Sequence, residues 1–451
     1  MTVDDTKPVR LVQTARDTGD RLTEHLPVEW RPDEEGVENG LLNLYPDVKY
    51  QEIEGFGGAF TEAGAVTLQK VGAEKREEVL NAYFHPERGL GYTLCRTHIH
   101  SCDFSLGNYT YVEDGDRELA TFDVSRDEEA LLPFIRDALA VEGAAFKLMA
   151  TPWSPLAWMK TNGQMNGGGK LLPEFRDAWA RYFAKYIRAY RDKGVPIWAV
   201  SVQNEAKAVQ RWDSCIFTAE EERDFVKEHL GPTLEREGLS DVNLIVWDHN
   251  KERVYERAKI AFEDPEAARW LWGIGFHWYS GDHFGGLEAT HRRFPDKKLL
   301  FTEGCVENGV KLGAWTQGER YAHHMIGDLN HWACGWIDWN LALDERGGPN
   351  HVGNYCDAPI IADTTTGEIH YQSSYYYIGQ ISKYVRPGAV RIGSSVYTDA
   401  LETVAFENPD GTKAVVVLNR TDAEVPYTLR MDDRLAEFVS PAHSIQTLLI
   451  G

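Results

Sequence analysis

The chain has 451 residues, with 47 Lys and Arg against 70 Asp and Glu, a formal net charge of −23. That acidity excludes a general nucleic-acid binder, because neutralising phosphates takes clustered Lys and Arg. Hydrophobic residues at 43%, with 14 Trp and 20 Tyr, exclude disorder as the dominant state and supply cores for one large α/β barrel with an accessory domain, or for two or three domains.

The first twenty residues open with Asp4 and Asp5 and lack the basic-then-apolar order of a signal peptide. No run of about 18 apolar residues follows, so no integral membrane contact is expected. On these grounds the chain reads as cytoplasmic. Six cysteines (Cys95, Cys102, Cys215, Cys305, Cys334 and Cys356) form no CxxC pair, and in a reducing compartment they read as free buried thiols.

Short apolar runs then recur, each ending in polar or aromatic residues: 50–60, 92–100, 146–154, 197–206, 243–250, 273–280, 298–305 and 335–343. Helical patterns separate them. In 173–194, Phe175, Trp179, Tyr182, Phe183, Tyr186 and Tyr190 recur at helical spacing, and Lys193-Gly194 gives a basic last turn with a glycine cap. In 218–232, Thr218 is the N-cap, acids fill the first turn, and Gly231-Pro232 reads as the stop. Eight strand–helix repeats predict a (β/α)8 TIM barrel, whose chemistry gathers where the strands end. A doubly wound nucleotide fold fails, because GFGGAF (55–60) lacks the G-x-G-x-x-G spacing and NGGGK (166–170) does not make a phosphate loop.

After RPGA (386–389) the pattern changes to period two, with Asn408-Pro409-Asp410-Gly411 as a hairpin turn. These C-terminal strands are too few to close a sandwich, and RLVQTA (10–15), RLTEH (21–25) and LLNLY (41–45) can supply the rest. The expected organisation is therefore an α/β chain: sandwich strands in 1–49, the barrel in 50–384, and the remainder of an all-β side sandwich in 385–451.

Two strand ends present a glutamate: Gln203-Asn204-Glu205 on strand four and Thr302-Glu303-Gly304 on strand seven. A lone glutamate is ordinarily solvated surface. At the end of an apolar strand it needs a partner or a purpose, and two at one barrel mouth suit glycoside hydrolysis. The His pairs His98/His100 and His323/His324 lack a third ligand at metal spacing, so no metal and no cofactor are expected.

The stretches SCDFSLGNYTY (101–111), TPWSPLAWMKTNG (151–163), WAVSVQNEA (198–206), HWY (277–279), TEGC (302–305) and GWIDWNLALDERGGPN (335–350) carry a resemblance. Across more than 300 residues the chain resembles glycoside hydrolase family 30, in its glucosylceramidase-like branch. The resemblance implies a retaining β-glycosidase with Glu205 as acid/base and Glu303 as nucleophile. It further implies that Arg96 pairs with the nucleophile, that Asn204 meets the sugar 2-hydroxyl, and that Asp103, Trp153, Trp339 and Asn354 form the pocket for a terminal glucosyl unit. Tyr279 is expected near the nucleophile, and His277 beside it as a satisfied structural partner. The charge on Glu303 is expected to raise the pKa of Glu205.

The sequence departs from the lysosomal glucosylceramidase type at TEGC, in place of Ser-Glu-Ala-Cys, and at Trp212, in a different aromatic loop. The resulting expectation is an exo-acting retaining β-glucosidase on short gluco-oligosaccharides or glucosides, with β-1,6 linkages among the candidates. Glucosylceramidase, β-xylosidase, β-fucosidase and endo-β-1,6-glucanase are the alternatives within the family, and an inactive carbohydrate-binding protein is the alternative of another class. Nothing in the chain indicates an oligomeric state.

Overall fold

A computed structural model of the chain describes residues 7–451; residues 1–6, with the two aspartates weighed against a signal peptide, lie outside the described residues. Eight parallel strands close a barrel: Gly55–Phe60, Leu94–Ile99, Lys147–Pro152, Ala199–Ser201, Asn243–Asn250, Leu271–His277, Lys298–Glu303 and Ala333–Asn340. Six fall within the expected apolar runs, and two, Leu271–His277 and Ala333–Asn340, begin two residues before theirs. Strand one starts at Gly55 because the residues before it belong to another sheet. A Cβ on Gly57 would lie 1.9 Å from the Leu94 carbonyl oxygen, so glycine lets strands one and two approach. Leu94, Met149, Ala199, Ile245, Leu300, Cys334 and Ile337 fill the barrel interior, leaving the polar strand ends for the mouth.

The helix expected over 173–194 forms as a 3-10 turn, Pro173–Phe175, and an α-helix, Arg176–Asp192. The helix Ala219–Phe225 starts with a full capping box between Thr218 and Glu221. Its expected stop at Gly231-Pro232 is not observed. The chain passes through a π turn, Val226–Leu230, into a helix over Gly231–Arg236. Pro232 follows directly on the point where the Gly231 N–H reaches back five residues to the Val226 carbonyl, so its missing N–H falls where the ladder is already displaced. Gly231 serves packing, since a Cβ would lie 2.5 Å from the Trp270 ring. The turn to Gly238, at φ +69°, ends the helix instead.

Ten strands form the side domain, in the order Thr23–Glu24, Arg10–Ala15, Ser444–Ile450, Lys413–Asn419, Leu401–Glu407, Val390–Val396, Leu41–Glu52, Val425–Met431, Arg434–Ser440 and Arg31–Pro32. Strands from both chain ends interleave in this order, and they enclose Leu42, Leu44, Ile392, Val415, Val417, Leu429 and Leu448. The expected segment 41–45 is the start of a twelve-residue strand that runs to Glu52. Gly411, at φ +88°, makes the expected turn after Asn408, whose N–H donates to the Thr412 carbonyl at 2.8 Å. Helices Thr316–Asn330 and Ser373–Ser382 dock the barrel on this domain, where His443 Nδ1 lies 2.6 Å from Glu319 Oε1. All six cysteines are free and buried. Among the described residues no helix is long and apolar enough to cross a membrane.

Candidate active site

The ends of the barrel strands surround a cavity of about 270 Å³. Glu303 closes strand seven. Its Oε2 accepts from Arg96 Nη1 at 2.6 Å and its Oε1 from the Tyr279 hydroxyl at 2.9 Å. Arg96, on strand two, is fully buried; its Nη2 also donates to Asn204 Oδ1 at 2.8 Å and Asp248 Oδ2 at 2.9 Å. Its guanidinium lies 4.7 Å from the Trp153 ring, which stacks on Trp339 at 5.1 Å. Both rings thus pack over a cation, an arrangement that the ring quadrupole favours.

Glu205 sits one turn beyond strand four with left-handed backbone at φ +49°, and its N–H donates to the Asp248 carbonyl at 2.9 Å. Its carboxylate lies 3.5 Å from His277 Nδ1 and 3.9 Å from His249 Nε2. On the far side of the imidazole, His277 Nε2 is 2.9 Å from Asp248 Oδ1. Asp248 also accepts from Ser201 at 2.6 Å and Thr302 at 2.6 Å. Burial alone would raise the pKa of Asp248, but the Arg96 charge and the hydrogen bonds from His277 and Ser201 hold it well below the usual carboxylate range. Burial would lower His277, yet Glu303, Asp248 and Glu205 together raise it to about 9.

These imidazoles reverse one expectation. Burial pushes Glu205 up, but the hydrogen bond from His277 and the charges of His249 and His277 outweigh it, so Glu205 is lowered rather than raised. A cation within hydrogen-bonding reach acts more strongly than the second carboxylate. The two shifts together place the proton of this pair on His277 and leave Glu205 ionised in the free enzyme.

Asp103, 3% exposed, accepts on Oδ2 from Asn350 Nδ2 at 3.2 Å and Asn354 Nδ2 at 3.1 Å. Burial pushes it up to about 7, against the donating Asn354 and with the charge of Glu303. Asn204 Oδ1 is taken by Arg96, so the group it can offer a ligand is its amide N–H.

Of the ten residues singled out in the sequence, Asp103, Trp153, Asn204, Glu205, Tyr279, Glu303, Trp339 and Asn354 line the cavity. Arg96 and His277 do not; both are fully buried behind the wall and act on the carboxylates. Sequence reasoning missed Asp248, Asn350 and the lining residues Gln210, Trp212, His249, Asn250 and Glu307, naming Trp212 only for a changed loop. Asp248, His249 and Asn250 close the apolar run 243–250, which marks a strand end but not which of the three side chains turns toward the site.

Glu205, His277 and Glu303 place ligand-type atoms within 4.8 Å of one another. Arg96 already occupies Glu303 with a fixed positive charge, which opposes a second cation there. Two carboxyl groups this close, one anchored by guanidinium and phenol and one coupled to an imidazole, can divide nucleophilic and proton-transfer work.

The glycosyl hydrolase family 30 TIM-barrel domain matches residues 53–385, and the family 30 beta sandwich domain matches residues 388–448. The lysosomal acid glucosylceramidase of Mus musculus is 38% identical, over 91% of this chain and 83% of its own. An endo-1,6-beta-D-glucanase of Neurospora crassa is 27% identical, over 85% and 82%. Among solved structures, SrfJ from Salmonella typhimurium superposes with a TM-score of 0.95 at 40% identity, covering 98% of this chain and 99% of that one. The endo-beta1,6-glucanase BT3312 superposes with a TM-score of 0.89 at 30% identity, covering 98% and 99%. With both domains matched and the barrel mouth furnished as described, the chain belongs to glycoside hydrolase family 30.

Proposed function

We propose that this glycoside hydrolase is a retaining exo-β-glucosidase acting on short β-linked gluco-oligosaccharides or glucosides. The observation that carries the reading is the approach of Glu205 and Glu303, whose oxygens lie within 4.8 Å. Retaining enzymes hold their carboxyl groups about 5–5.5 Å apart, while inverting ones leave about 6.5–9.5 Å for a water. Glu303, fixed by Arg96 and Tyr279, attacks the anomeric carbon. Glu205 passes to the departing oxygen a proton supplied by His277, 3.5 Å away, and then takes one from water as the glycosyl ester breaks. Asp103 accepts from adjacent sugar hydroxyls, Asn204 N–H donates to the 2-hydroxyl, and Trp153 and Trp339 pack on the sugar's C–H faces.

The cavity is also lined by Gln210, Trp212, Asn250 and Glu307. Those groups match sugar hydroxyls better than acyl chains, and a net charge of −23 opposes anionic membrane surfaces. Six unpaired thiols suit a cytoplasmic, reducing setting. The 38% identity to a glucosylceramidase supports glucosylceramide hydrolysis as the second reading.

Gentiobiose, laminaribiose, cellobiose and glucosylceramide, assayed side by side with following of the first-formed anomer, test the proposal. Glucose released first as the β-anomer from a disaccharide is expected. First release of the α-anomer overturns retention, and turnover of glucosylceramide alone overturns the substrate class. No hydrolysis across a panel of nitrophenyl β-glycosides, with sugar still bound, makes the chain a binding protein.

A further inference from the structure

The proposed chemistry rests on a bulge in strand five. Up to Val246 the strand alternates regularly: Ile245 faces the barrel interior with Leu94, Met149 and Leu300, and Leu244 and Val246 face the helices. Period two would then turn Trp247 inward and Asp248 outward. Against strand six, however, Trp247 stands opposite Gly275 and His249 opposite Phe276, so Asp248 is an extra residue. Trp247 packs outward with the helix-facing core, and Asp248 turns in to meet Arg96, Ser201, Thr302 and His277.

This inversion requires left-handed backbone at two consecutive side-chain-bearing residues, Trp247 at φ +71° and Asp248 at φ +48°. The Asp248 carbonyl in turn holds the amide of Glu205, itself left-handed. Such conformations persist only where the surroundings over-determine them. Here the hold comes from the helix Ala219–Phe225. Glu222, 2% exposed, accepts the Trp247 N–H on Oε1 at 2.7 Å. Its Oε2 lies 3.8 Å from Arg257 Nη1, and that guanidinium stands 4.4 Å over the Trp247 ring. The indole N–H is fixed as well, donating to the Asn250 carbonyl at 3.0 Å.

We propose that Glu222 is a positioning residue for the reaction: by holding the Trp247 amide it fixes the bulge that turns Asp248 toward Arg96 and His277. Through those two partners Asp248 orients both Glu303 and Glu205, so the proposal rests on the roles given to them above. Glu222 itself does not line the cavity. Burial pushes its pKa up to about 7, and in either protonation state an oxygen remains to accept from the amide. A glutamine at this position therefore keeps the anchor.

The test compares Glu222→Ala, Glu222→Gln, Asp248→Asn and the double variant Glu222→Ala/Asp248→Asn, each well below its own Tm, on any aryl glycoside that the wild type hydrolyses. Glu222→Ala should lower kcat by about 30–100-fold with KM little changed, the mark of lost orientation rather than lost binding. Its alkaline pH limb should move down by about half a unit or more, as His277 loses the carboxylate that favours its charged form. Glu222→Gln should recover kcat to within about fivefold, with the wild-type limb, because the acceptor is restored. The double variant should be no slower than Asp248→Asn alone. A Glu222→Ala enzyme with lower Tm but wild-type kcat and pH limb would reduce Glu222 to packing and overturn the proposal, as would multiplicative losses in the double variant. Should the alanine variant not fold, Glu222→Asp retracts the acceptor by one methylene, and wild-type kcat there overturns it equally. Failure of the functional reading shows elsewhere, as undiminished turnover by Glu303→Ala.

Discussion

On the inner side of the cavity Glu303 is tied to Arg96 and Tyr279, and Asp103 to Asn350 and Asn354, whereas the outer side is furnished by Gln210 and Trp212 from the loop after strand four and by Glu307 from the loop after strand seven. Arg96, Glu303, Asp103 and Asn350 are buried, Tyr279 and Asn354 half-buried, and all six are tied in side-chain hydrogen bonds. The outer loops carry exposed side chains, Val209 at 62% after strand four and Glu307 after strand seven. A framework built in the first way fixes what it holds; loops built in the second way vary without disturbing the barrel. The relatives fit that division, since the mouse protein is named for glucosylceramide and the Neurospora protein for a 1,6-linked glucan.

The comparison breaks most sharply at Glu303. Glu303→Ala should abolish turnover of an aryl glucoside, a loss beyond about 10⁴-fold, while azide restores part of it and yields the α-glucosyl azide. Wild-type turnover in that variant would remove Glu303 from the chemistry. Next in size is Glu205→Ala, which stands between the two sides. Gentiobiose cleavage should fall by about 10²–10⁴-fold, because an alkoxide cannot leave unprotonated, while glucosylation by a dinitrophenyl glucoside survives. With no base for the second step the glycosyl-enzyme should accumulate and give a burst, and azide should yield the β-azide. Equal losses on both substrates, without a burst, would assign the role elsewhere.

Asp103→Asn probes recognition on the inner side. It should lower kcat/KM for glucosides by about 2–4 kcal/mol in transition-state binding. The same substitution should raise stability. Asp103 is pushed up to about 7 in the folded protein, so the fold is favoured by protonation, and that advantage is lost as pH rises through about 7. The variant's Tm should exceed the wild type's near pH 8, with the gap closing toward pH 5; a gap that widens on acidification would contradict this. The smallest effect is expected on the outer side. Trp212→Ala should cost about tenfold on a disaccharide and little on a nitrophenyl glucoside, removing a stacking face for the second sugar. Equal loss on both would move Trp212 to the inner recognition set.

Much of the inner side was legible in the sequence, because a barrel puts its chemistry where apolar strands end, and Glu205 and Glu303 stand there. Asp248 was not, although it holds Arg96 and His277 together. Alternation counted from Ile245 assigns it to the helix face, and only a bulge, which leaves no mark in hydrophobic periodicity, turns it inward. The direction of the Glu205 shift escaped for a related reason, since His277 and His249 come from strands six and five and their distances follow from barrel closure. Gly231-Pro232 carries the composition of a helix stop, yet Trp270, 39 residues later in the chain, decides its use through packing. The outer side was least legible, because loop residues follow no period.

The interleaving of both chain ends in the ten-stranded sheet has a consequence for biosynthesis. Arg10–Ala15 pairs with Ser444–Ile450, with Val12 opposite Thr447. At about 5–20 residues per second of translation, the first strand waits roughly 20–90 s for its partner. Through that interval its edge, and that of Leu41–Glu52, is open to wrong pairing while the barrel strands emerge between them. High contact order of this kind slows folding and favours assembly after release from the ribosome. A nascent chain arrested shortly after Ser382 should therefore engage chaperones through its N-terminal segment, and supplying residues 385–451 in trans should relieve that engagement.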